Sequence, residues 1–178
     1  MLVSFGLAGC TTHAPSHPVH LPTPVTTNDL TWVNFHFILV NATNTSPNLR
    51  SETSLLQDSI ISGLRETGLF RNVDQANTNA AANGIKILAS IHQITKVSAH
   101  SRVWFGGLAG KARAVVRVTV SDLTTGNPVD VFVVEGQTGA SAWAGLTDEA
   151  VLRAAQQVVA EIARLDSQAA QQLIDHGK

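Results

Sequence analysis

The chain has 178 residues, 12 of them basic and 13 acidic, for a formal net charge of -1, with 44% apolar and 14% charged side chains. This length sets one domain as the expectation and is enough to bury a core without staples. The apolar content excludes a disordered chain, and the balanced charge excludes a general electrostatic grip on nucleic acid. Cys10 is the only cysteine, which excludes an intramolecular disulfide and a cysteine-based zinc site.

Residues 1–9 run Met-Leu-Val-Ser-Phe-Gly-Leu-Ala-Gly ahead of Cys10. An apolar run ending in small residues is the pattern of a signal-peptide core with its cleavage site. Leu7-Ala8-Gly9-Cys10 matches the bacterial lipobox, so Cys10 is the expected site of lipid attachment. Its thiolate is the nucleophile that takes up a diacylglyceryl group, and several acyl chains anchor firmly where one binds marginally. No Lys or Arg precedes Cys10, and a signal peptide carries a basic start. A coding start further upstream is therefore expected.

Residues 10–30 hold four of the six prolines and read as a partly extended tether of at most about 60 Å. His13, His17 and His20 within it read as polar filler, because nothing there fixes a coordination geometry. No later run reaches eighteen apolar residues, so no transmembrane helix is predicted. Thr11 stands where Asp would mark inner-membrane retention. The expected location is thus the outer membrane, facing the periplasm.

Residues 31–178 read as a single α+β domain. Residues 32–40 are apolar and β-prone, with His36 as a half-buried strand residue, and 41–50 form a polar loop. Leu56, Ile60 and Leu64 mark a helix over 51–67 with Ser51 as its N-cap and Gly68 as its stop. A short edge strand follows at 70–73. Alternation marks strands 85–97, 112–122 and 129–137, the last two joined by a turn with Gly126 supplying positive φ. Val151, Ala155, Val158, Ile162, Leu165 and Ala169 lay one stripe along a final helix over 148–173, with Thr147 as N-cap. The order β-α-β-β-β-β-α predicts a mainly antiparallel sheet of four to five strands with two helices on one face.

No enzyme chemistry emerges. Gly106–Ala112 is one residue short of a phosphate loop and lacks its Ser or Thr. Gly139–Trp143 places Trp where a nucleophile elbow needs Gly. No catalytic residue, metal site or cofactor is expected. The loops 98–111 and 138–146 are expected at one end of the domain, bringing Trp104, Phe105 and Trp143 among glycines. Such aromatics form a partner-contact patch or fold down onto the core.

Gly68-Leu69-Phe70, the segment Trp104–Lys111, Ser121–Gly126 and the Ala-rich final helix carry a resemblance. Together with the lipobox they resemble the bacterial lipoproteins of the domain of unknown function 4410 family, over about residues 33–165. The resemblance implies architecture and no activity. More loosely, the layout is similar to the amino-terminal domain of the Tol-system translocation protein and to lipoprotein activators of cell-wall synthases, which are protein-binding modules. The functional expectation is a lipid-anchored, non-catalytic interaction module. Its partners would be the membrane, through acyl chains on Cys10, and an envelope protein. The alternative is a small-ligand or glycan-binding module using loops 98–111 and 138–146.

Overall fold

The computed structural model describes residues 18–21, 37–76, 84–96, 111–138 and 147–176. Among the described residues six strands and two α-helices follow one another: β1 (Val19–His20), β2 (Phe37–Asn44), α1 (Arg50–Glu66), β3 (Asn72–Gln75), β4 (Gly84–Thr95), β5 (Arg113–Asp122), β6 (Pro128–Gln137) and α2 (Thr147–His176). The strands form one sheet in the order β1-β6-β5-β4-β2-β3. It is an α+β fold, and the two helices pack on each other and on the same sheet face.

The sheet is mixed rather than mainly antiparallel. β2 runs parallel to both β3 and β4, while β4–β5, β5–β6 and β1–β6 are antiparallel. For β2 and β3 the reason lies in α1, which fills the connection between them. A helix carries the chain back along the sheet, so the strand that follows it enters in the direction of the one before. The expected hairpins account for the antiparallel half alone. The strand count also rises to six, because Val19 and His20, expected within the tether, pair with Val133 and Phe132 of β6. The folded unit thus reaches back to Val19.

Alternation places the core. Ile85, Ile87, Ala89 and Ile91 of β4 and Ala114, Val116, Val118 and Val120 of β5 are fully buried under the helices. Leu56, Ile60 and Leu64 of α1 and Val151, Ala155, Val158 and Ile162 of α2 meet them, as the helical periodicity predicts. Among the described residues Phe132 is the largest fully buried side chain, and it sits on β6 beneath α2. Gly136, on the same face, lets α2 approach closely. A Cβ there would lie 1.9 Å from the Ala150 carbonyl oxygen and 2.6 Å from the Ala154 nitrogen.

Element ends follow the local chemistry with two differences. β2 continues through Asn44 where a loop was expected, because Asn41, Thr43 and Asn44 pair with Leu88, Ser90 and Ile91 of β4. Ser51 is not the N-cap of α1. A 3₁₀ turn over Pro47–Leu49 runs straight into the helix, Leu49 takes the cap position, and the Ser51 hydroxyl donates to Glu52. Gly68 does end the helix, at φ 67°, and Gly126 turns the β5–β6 hairpin at φ 71°.

Candidate functional site

The end of the sheet where β4 and β6 finish and β5 begins is the place to which the predicted loops attach. Thr95 pairs with Arg113 and Arg113 with Gln137. The described flanks of loops 98–111 and 138–146 therefore converge at one end, as expected. Trp104, Phe105 and Trp143 lie outside the described residues, as does Cys10. A clamp between Ala112 and Thr138 ties the two loop roots together. The Thr138 amide donates to the Ala112 carbonyl at 3.0 Å, and the Ala112 amide donates to the Thr138 hydroxyl oxygen at 3.0 Å. Thr138 is 2% exposed; its hydroxyl satisfies a backbone donor that burial would otherwise strand.

Charged groups cluster around this end in pairs. The Arg113 guanidinium donates to the Glu135 carboxylate across β5 and β6. That bond first, and the arginine's charge with it, holds the Glu135 carboxyl below the usual range against the opposing effect of burial. Glu52, in the first turn of α1, is buried, and Lys96 at the end of β4 reaches its carboxylate at 2.5 Å. Burial pushes the Glu52 carboxyl up. Hydrogen bonds from Lys96, its own amide and Ser51, with the Lys96 charge, more than reverse this and hold it below the ordinary value.

A second cluster lies where the leading segment meets the fold. The His20 ring stands 5.7 Å from the Phe132 ring, centroid to centroid. Its Nδ1 is 3.2 Å from Asp130 of β6, and its Nε2 is 2.9 Å from Glu161 of α2. Arg164, one turn further along α2, donates through Nε to Glu161 at 2.8 Å, and its terminal nitrogen lies 3.3 Å from His20 Nε2. The neighbouring Leu21 amide donates to the Val131 carbonyl at 2.8 Å. From sequence alone His20 reads as polar filler. Only the pairing of residues more than a hundred positions apart shows its role, and the one local signal is an apolar-polar-apolar triplet bracketed by Pro18 and Pro22. Prolines at a strand's ends suit an edge position.

In these clusters the charges are paired and the backbone amides of Leu21, Ala112 and Thr138 are satisfied. Among the described residues no group of three His, Cys, Asp or Glu side chains could hold a metal ion. No helix among them is long and apolar enough to cross a membrane. A shallow groove of about 580 Å³ runs between α1 and α2, lined by small side chains such as Ser59, Gly63 and Ala163, with Val159 in its floor.

The family model described as a domain of unknown function, DUF4410, matches residues 22–142. The chain belongs to this family. The match spans β2 to β6 and α1, and leaves β1 and α2 outside it. No curated protein matches the chain significantly. Solved structures with a similar fold include the PelC dodecamer from Paraburkholderia phytofirmans, at TM-score 0.53 and 12% identity, over 81% of this chain and 96% of that one. A Xanthomonas campestris protein of the DUF330 family superposes at TM-score 0.52 and 12% identity, over 81% of this chain and 89% of that one. At these identities the likeness establishes the α+β fold and nothing of the chemistry.

Proposed function

We propose that this chain is a lipid-anchored, non-catalytic interaction module of the cell envelope, held at the outer membrane and facing the periplasm. One observation carries the reading: the sole cysteine stands at position 10, at the end of Leu7-Ala8-Gly9-Cys10. A folded domain then begins only nine residues later at Val19. An apolar leader, a single acylatable thiol and a compact domain that invests its charges in internal pairs suit a protein that positions a surface rather than transforms a substrate. The partner is another envelope protein. A second reading, a small-ligand or glycan-binding module, draws on the convergence of the roots of loops 98–111 and 138–146.

Metabolic labelling with an alkyne fatty acid tests the anchor. The wild-type chain is expected to take up label and sediment with membranes, and Cys10→Ser to lose the label and appear in the soluble fraction. A labelled Cys10→Ser chain would sink the anchor. Crosslinking in intact envelopes followed by mass spectrometry tests the partner. Crosslinks to a different envelope protein support the reading; crosslinks between copies alone would make the module a self-assembling one, as the PelC dodecamer is.

A further inference from the structure

The two residues of β1 fix where the leading segment meets the domain. In the antiparallel register Val19 lies opposite Val133 and His20 opposite Phe132. The chain before Val19 therefore arrives from the Val134–Gln137 side of β6. That side holds the start of β5 at Arg113, the end of β4 at Thr95 and the first turns of α2, where Ala150 lies against Gly136. The β5–β6 turn at Thr124–Asn127 lies at the other end.

Two residues of strand pairing are weak by themselves. His20 supplies what the backbone lacks. Each of its ring nitrogens faces a carboxylate, Asp130 on one side and Glu161 on the other, and Glu161 is itself 5% exposed and shared with Arg164. Removing His20 would leave a buried carboxylate with one partner fewer and a strand held by little but its pairing with β6 and the Leu21 amide. The contact is a latch across three elements: β1, β6 and α2.

The geometry points to a fixed presentation of the domain on the lipid surface. His20 latches the leading segment so that the Arg113–Gln137 end of the sheet faces the membrane carrying acylated Cys10. This rests on the lipid-anchor reading. Nine residues from Cys10 to Val19 span at most about 28 Å at about 3.1 Å per residue, against about 65 Å for a tether running free to residue 31. The ten-residue β5 separates the two ends of the sheet by about 30 Å at about 3.4 Å per residue. The register sends the segment out of β1 toward Val134–Gln137, so presenting the opposite end would require this short segment to double back along β6.

Energy transfer reads this directly. A fluorophore is placed on Lys111→Cys or on Asn127→Cys in the acylated full chain, where Cys10 is blocked by its lipid. The labelled protein is bound to phosphatidylethanolamine–phosphatidylglycerol vesicles carrying an acceptor on the headgroup. Transfer from position 111 is expected to exceed that from position 127 at least twofold, and His20→Ala to bring the two together while circular dichroism shows the fold retained. Equal transfer, or more from position 127, on vesicle-bound protein overturns the orientation alone. An unchanged difference in His20→Ala overturns the latch. Full chain that fails to float with vesicles overturns the anchor, and the orientation with it.

Discussion

At Glu52 a single side chain is expected to make stability depend on pH. Its side chain is 7% exposed, and Lys96 holds its carboxylate from the far end of β4. Because the folded-state pKa is depressed, Glu52 contributes stability above its unfolded pKa and loses it as pH falls through the folded value. Glu52→Gln is therefore expected to unfold more easily than wild type at pH 7. The gap should be narrower at pH 3 than at pH 7, because the Glu52 carboxylate takes up its proton as pH falls through the folded-state pKa. Urea midpoints at the two pH values check this; a gap as wide at pH 3 as at pH 7 would show that charge is not what Glu52 contributes. Asp166 gives the opposite sign, since burial pushes its carboxyl up and its charged form opposes folding. The helix that carries Glu52 was legible from the spacing of Leu56, Ile60 and Leu64. The Lys96 partner was not, because it is set by strand register and not by spacing along one element.

At the scale of elements, the contact between α2 and β6 depends on Gly136. The stripe on α2 announces which helix face is buried, and period-two alternation announces which face of β6 receives it. Neither tells how close the two come. The structure answers through the backbone atoms of Ala150 and Ala154, which occupy the space a Cβ would need at Gly136. Backbone cannot turn aside as a side-chain tip can. Gly136→Ala must push α2 off the sheet, at a loss of about 1–3 kcal/mol or more. Gln156→Ala, on the exposed side of the same helix, should stay within about 0.5 kcal/mol of wild type. Chemical denaturation of both variants decides it, and a Gly136→Ala chain as stable as Gln156→Ala would mean that α2 approaches β6 less closely. Strand direction illustrates the same limit on reading from sequence. From β2 to α2 the elements and their order were legible from periodicity, yet the parallel placement of β3 and β4 beside β2 follows from crossovers that local patterning does not encode.

For the whole molecule, the question is where the folded unit begins. Proline content suggested a tether through residue 30. With β1 in place, β6 is an interior strand along Phe132 and Val133, and the edge is a two-residue strand bracketed by prolines. Short edges with proline resist pairing with other chains. β1 was illegible because a two-residue strand has no period to detect, and because its stabilising contacts come from Asp130 and Glu161, far along the chain. A chain of residues 31–178 should therefore behave differently from one of residues 18–178. It lacks the Leu21 amide donated to Val131 and the His20 contacts to both carboxylates. Loss of those partners from part-buried groups is worth about 1–3 kcal/mol, and the bared β6 edge favours association between chains. The shorter chain is expected to show a lower urea midpoint and a mass by light scattering that rises with concentration, while residues 18–178 show neither change relative to the full chain. Equal midpoints for the two truncations would mean that β1 lies on β6 without holding it, and the boundary of the domain would return to residue 31.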